Sequence, residues 1–125
     1  MADRIEVFPI VVPAGTAIGA PQTTALSMVD GHVERIEIII PPGPSGLVGF
    51  RVIHSQQVVI PFSGTAWVIA DDEKISWPIQ NYPTGNKWSI RAYNTDIYSH
   101  TLYFRFHILE LVAAIPPYPA PITDL

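Results

Sequence analysis

Residues 32–54 read HVERIEIIIPPGPSGLVGFRVIH, two apolar runs separated by a proline- and glycine-rich link. Residues 33–40 are dominated by β-branched side chains, which suit a pleated strand better than a helix. Pro41, Pro42 and Pro44 then remove amide donors and clash with any preceding helical turn, so no helix can run through this stretch. Residues 47–53 resume the apolar pattern. Two such runs around a turn cluster predict antiparallel β-sheet. Strand side chains alternate between faces, which puts Ile36, Ile38 and Ile40 on one side. A simple hairpin register would pair them with Val48, Phe50 and Val52. The other side carries Ile39 and Ile53 beside Glu37 and Arg51, a half-apolar face where a solvated sheet would be polar.

The same period of two recurs along the chain. Residues 4–12 (RIEVFPIVV) predict a strand or extended arm, with Pro9 favouring a sheet edge because it cannot donate to a ladder. Residues 13–31 are small and turn-prone, and a weak strand is expected around residues 23–29. Residues 57–62, 66–69 and 74–79 predict short strands, with Ile75, Trp77 and Ile79 alternating against Ser76 and Pro78. Residues 81–86 (NYPTGN) form a turn cluster. Residues 87–94 put Trp88, Ile90 and Ala92 on one face. The longest strand, residues 100–111, turns Leu102, Phe104, Phe106 and Ile108 inward. About eight short strands with Gly/Pro turns predict an all-β, single-domain antiparallel β-sandwich, jelly-roll-like, spanning residues 1–125. Within it, residues 1–12 are the N-terminal strand or arm and 31–111 the sandwich core. Residues 112–125, with Pro116, Pro117, Pro119 and Pro121, read as an extended C-terminal arm.

Charged residues make up only 14% of the chain against a hydrophobic fraction of 48%, where globular domains usually carry about 25% charged residues. A domain this small has much surface to cover, so part of that surface should be apolar and should meet a partner. The net charge is −4, and the seven Lys and Arg are scattered singly. No basic cluster exists to neutralise phosphates, which argues against nucleic-acid binding. Without cysteine there is neither a disulfide framework nor a thiolate metal site. The N-terminal run is broken by Pro9 and Pro13 and does not resemble a secretory signal, and no stretch approaches a membrane span. The expectation is a protein made in the cytoplasm without Sec-type export.

Motifs for catalysis are scarce. A cupin-like metal site would need a closely spaced histidine pair, whereas His54 is followed by SQQVVIP, and His100 and His107 fall on opposite faces of one strand. Asp71, Asp72 and Glu73 form an acidic corner lacking the spacing of a calcium loop, so a solvated turn is the expectation. Glu34, Glu37, Asp96 and Glu110 nominate no glycosidase pair. The 43–46 segment, GPSG, has neither nucleophile-elbow nor phosphate-loop context. Neither catalytic residues, a metal nor a cofactor is therefore assigned. A small jelly-roll enzyme using His54 or His107 is the least favoured alternative. Trp77 and Trp88 follow inward registers. Tyr82, Tyr93 and Tyr98 fall at loops or outward positions and form a candidate ligand rim, so a carbohydrate- or receptor-binding module, with Asp71 and Asp72 at its site, is the second reading.

In general character, the run ERIEIIIPPGPSGLVGFRVIHS followed by WPIQNYPTGNKWSIRAYNTDIYSHTLYFRFHI resembles the small all-β accessory virion proteins of tailed bacteriophages. That resemblance to decoration or cement proteins implies a non-enzymatic structural role in a virion. It implies a homo-oligomer, with a trimer favoured, bound to other virion proteins such as the major capsid protein. Neither nucleic acid nor membrane is expected as a partner, while a glycan fits the tyrosine rim. The candidate interface comprises Ile39, Pro41, Pro42, Pro44 and Ile53, with Ile115, Tyr118 and Ile122 in the C-terminal arm.

Overall fold

The computed structural model describes residues 2–61, 66–85 and 87–110. Among them are nine strands: β1 (Ala2–Val12), β2 (Gln22–Leu26), β3 (Gly31–Ile40), β4 (Val48–His54), β5 (Gln57–Ile60), β6 (Val68–Ile69), β7 (Glu73–Pro83), β8 (Trp88–Asn94) and β9 (His100–Glu110). One sheet has the order β1-β9-β3-β7 and the other β2-β8-β4-β5, with β6 pairing β4. We call these sheets A and B. Setting aside the two-residue β6, the first strand pairs with the last, β2 with β8, β3 with β7 and β4 with β5, all antiparallel. That nesting is a long two-stranded ribbon rolled onto itself, the jelly-roll form of the β-sandwich.

The core lies between the sheets. Sheet A contributes Ile10, Val12, Val33, Ile36, Ile38, Ile40, Leu102, Phe104, Phe106 and Ile108, and sheet B contributes Val48, Phe50, Val52, Trp88, Ile90 and Ala92, all buried. Edge-to-face ring pairs stitch the two layers, Phe50 to Phe104 at 5.2 Å and Trp88 to Phe106 at 5.4 Å between centroids. Trp77 packs against this core from β7, as its register predicts. In β3 the register slips between Val33 and Arg35 against both neighbours. The bulge lets Val33 and Ile36 both point inward, which strict alternation would forbid.

The expected β3–β4 hairpin does not form. β3 sits in sheet A between β9 and β7, while β4 sits in sheet B between β8 and β5. Ile36, Ile38 and Ile40 therefore oppose Val48, Phe50 and Val52 across the core instead of beside them in one sheet. The proline link crosses from sheet to sheet, over the roughly 10 Å that separates packed layers. Its turn is held by Asp71, whose Oδ1 accepts the amides of Gly43 and Ser45, each at 3.0 Å. The N-terminal segment is an integral edge strand and not a free arm. Its Phe8, Ile10 and Val12 pack inward, and Pro9 lies on the edge strand as expected.

Two glycines are required by close approach. A Cβ on Gly31 would strike the carbonyl oxygen of Leu109 and lie 3.0 Å from the Glu110 Cα, because β3 and β9 converge there. A Cβ on Gly49 would run into the Tyr93 ring, which lies across the glycine from the paired strand.

Candidate functional site

The outward face of sheet A is set by register. Across the strands run the rows Ile5–His107–Arg35–Pro78, Val7–Arg105–Glu37–Ser76 and Pro9–Tyr103–Ile39–Lys74. The β3 and β7 side is polar and tied together by ion pairs and a hydrogen bond from Arg35 to Ser76. Glu37 gathers His107 Nε2 at 3.1 Å, Arg105 at 3.5 Å and Lys74 at 3.8 Å. The His107 contact above all, helped by the Lys74 and Arg105 charges, holds the Glu37 carboxyl below its ordinary value against a smaller opposing effect of desolvation. The β1 side is apolar: Ile5, Val7 and Val11 are 53%, 50% and 55% exposed, and Tyr103 beside them is 37% exposed. Among the described residues, β1 is also the sheet edge, with β9 as its sole partner within the sheet. Gln22 Nε2 donates to the Val11 carbonyl at 2.9 Å and covers one end of that edge.

A second apolar feature stands at the end of the sandwich where β8 turns into β9. Ile97 and Tyr98 are 78% and 65% exposed, yet their loop is tightly built. The wholly buried Asn94 donates through Nδ2 to the carbonyls of Val12 (3.0 Å) and Tyr98 (2.8 Å) and accepts the Asp96 amide (2.9 Å). Asp96 accepts the Ile97 amide at 2.7 Å, and its other oxygen lies 2.7 Å from His100 Nε2. These contacts, the histidine first, hold the Asp96 carboxyl below its usual 3.8. A depressed folded value means that folding favours the carboxylate. The resulting stability is present above the unfolded value and is lost as the pH falls through the folded one. Asp96→Asn should therefore lower stability at neutral pH and flatten the acid limb. Urea midpoints across a pH series check this; an acid limb as steep as that of the parent would exclude the pair as a contributor.

The residues nominated from sequence scatter. Ile39 is half-buried on the outer face of sheet A, between Tyr103 and Lys74, whereas Ile53 is buried on the outer face of sheet B. They lie on opposite sides of the molecule and cannot form one interface, because their strands belong to different sheets. Of the link prolines, Pro42 is exposed, Pro41 half-buried and Pro44 buried. Ile115, Tyr118 and Ile122 lie outside the described residues. Tyr93 does face outward, but it is 5% exposed under an edge-to-face contact with Trp67 at 4.9 Å. Tyr82 packs at 5.9 Å from Trp88. Tyr98 is the exposed member of the three. Ile5, Val7 and Val11 are not among the residues nominated from sequence; their signal is that both faces of the strand RIEVFPIVV carry apolar side chains.

The histidines do not converge. His54 faces the core, 4.7 Å from the Trp88 ring and 5.2 Å from Tyr82, and burial pushes its pKa below 6.5. His107 lies on the outer face of sheet A. Asp71 is engaged by loop amides, which is a structural role. Among the described residues, no group of three or more His, Asp or Glu comes together to hold a metal ion. Among the described residues, no helix is long and apolar enough to cross a membrane.

No protein-family model matches the chain, and no curated protein matches it. Among solved structures, the crystal structure of Yersinia pseudotuberculosis-derived mitogen (YPM) aligns over 97% of this chain and 100% of its own, with a TM-score of 0.47 and 8% identity. A likeness of that degree carries no information about function.

Proposed function

We propose that the protein is a non-enzymatic structural subunit of a phage virion. It would be an oligomeric capsid decoration or stabilising protein, bound to neighbouring copies and to virion proteins such as the major capsid protein. The observation that carries the oligomeric part is the stripe Ile5, Val7 and Val11 with Tyr103, exposed along a sheet edge that no described strand pairs with. Fully burying an aliphatic side chain is worth roughly 1.5–3 kcal/mol, so removing the exposed half of each from water is worth about 1 kcal/mol per residue. Antiparallel addition of a neighbour's strand would satisfy the outward backbone groups of β1 at the same time. The assignment to a virion rests on the resemblance of the sequence in general character.

Sedimentation of the purified chain tests this reading, with a discrete oligomer expected, a trimer favoured. Val7→Glu with Val11→Glu should convert it to a folded monomer, because two buried charges would face the partner. Removing residues 115–125 should also weaken association if the C-terminal arm straps subunits together. A parent chain that stays monomeric at high concentration would sink the reading.

A further inference from the structure

The outer face of sheet B carries a feature that neither folding nor the sheet A contact explains. In the register of β4 and β8, Arg51 and Arg91 are directly opposed, with Thr23 of β2 completing the row. Like charges set opposite one another across a sheet oppose its formation. Arg51 is steadied by a cation–π contact, 4.0 Å over the Trp67 ring, and by its Nε donating to the Ala66 carbonyl at 2.8 Å. Arg91 is half-buried, and among the described residues no carboxylate is paired with it or with Lys87. Strands β2, β4, β5, β6 and β8 contain no Asp or Glu at all. In a chain of net charge −4, one sheet face is thus purely cationic.

That face is also concave. A groove of about 820 Å³ crosses it from β2 to β5, lined by Arg91 of β8 and by Lys87, which immediately precedes that strand. Four residues apart, they stand on the same face about 13 Å from one another. Between them the lining alternates hydroxyls and apolar carbon, Thr23, Ser89 and Ser55 beside Ala25, Ile53 and Val58. Ligand pockets are commonly about 300–1,000 Å³ with a few convergent polar groups.

We propose that this groove binds an acidic oligosaccharide, a short chain of sugar rings bearing carboxylates. The central strands β8 and β4 are paired on both sides, so their backbone groups are spent in the ladders and a ligand lying over them meets side chains only. A peptide that adds as a strand needs an open edge, and the central strands under the groove offer none. Sugar rings match it instead. Their hydroxyls reach Thr23, Ser55 and Ser89, and their C–H faces rest on Ile53 and Ala25. A carboxylate takes the planar fork of Arg91, with Lys87 for a second. The site lies on the side of the sandwich away from Ile5, Val7 and Val11, so it remains open whether the chain is a monomer or an oligomer.

Isothermal titration of the full chain with tetragalacturonate tests the proposal, beside neutral maltotetraose and a short polyglutamate. Tetragalacturonate should bind, maltotetraose should not, and affinity should fall with added salt. Arg91→Gln should weaken binding about tenfold through loss of one charge-assisted contact, and Lys87→Gln should do so independently. The melting temperature of Arg91→Gln should equal or exceed that of the parent, since the opposed charge is gone; a clear drop would mark Arg91 as structural and overturn the proposal. Absence of tetragalacturonate binding, equal binding of maltotetraose, or indifference to both substitutions would do the same. Tighter binding of polyglutamate would hand the groove to an acidic polypeptide.

Discussion

Phe104→Ala should lower the unfolding free energy by about 3–5 kcal/mol, the usual cost of emptying a buried aromatic site. Phe104 is wholly buried on the inner face of β9 and meets Phe50 of sheet B edge-to-face, with the rings at 85°. The two strands lie in separate layers, so no hydrogen-bonded ladder ties them and side-chain packing alone holds the sheets at this point. Neighbouring Ile38, on β3 beside it in register, is anchored in its own strand and cannot move to fill the void. Since domains are stable by about 5–15 kcal/mol, the loss is a large share of the total. Tyr103→Ala, one residue away on the outer face, should change the stability of the isolated subunit by about 0.5 kcal/mol or less. Denaturant midpoints of the two variants check the contrast. A Phe104→Ala loss as small as that of Tyr103→Ala would mean that the sheets do not interlock there.

Gly31→Ala should cost about 1–3 kcal/mol, more than its single added methyl group would suggest. The obstruction is backbone, the carbonyl of Leu109 and the Cα of Glu110, and backbone in a paired strand cannot swing aside as a side chain can. The same glycine is clamped from the opposite direction. Its amide donates to Thr84 Oγ1 at 3.0 Å, and its carbonyl accepts the Thr84 amide at 3.0 Å. Shifting Gly31 to relieve the collision would break a buried hydrogen-bonded pair of contacts. The start of β3 would then have to separate from β9. Thermal unfolding and amide exchange at residues 31–33 read this directly, and Gly19→Ala, where the added carbon meets nothing within 4 Å and the backbone is outside the left-handed region, is the steric control. Equal effects at both glycines would show that close approach is not what requires Gly31.

The inner faces were legible because strand alternation is local. Leu102, Phe104, Phe106 and Ile108, or Trp88, Ile90 and Ala92, each declare their burial within a single short segment. The weak strand expected around residues 23–29 appears as β2 over Gln22–Leu26; its signal was not alternation but the rarity of so long a structureless link in a compact domain. Partner choice was not legible. Ile38 lies beside Ile75 on one side and Phe104 on the other, and nothing within residues 32–54 distinguishes that arrangement from a hairpin with Phe50. The candidate interface failed at this step, since Ile39 and Ile53 share a face only if their strands share a sheet.

Asn94 shows the same divide on the scale of one residue. As a sequence letter it ends a strand and suggests a turn. In the fold it is wholly buried and ties Val12, Asp96 and Tyr98 together, which keeps Ile97 and Tyr98 presented to solvent. The opposition of Arg51 to Arg91 is likewise invisible until β4 and β8 are placed side by side. Composition and alternation determined the all-β class, the two-layer core and the surplus of apolar surface, because each depends on side-chain type and a period of two. Only the tertiary structure decided that β1 carries the exposed apolar stripe and that sheet B is free of carboxylates. Those properties belong to neighbours brought together from distant parts of the chain, and the rolled ribbon chooses the neighbours.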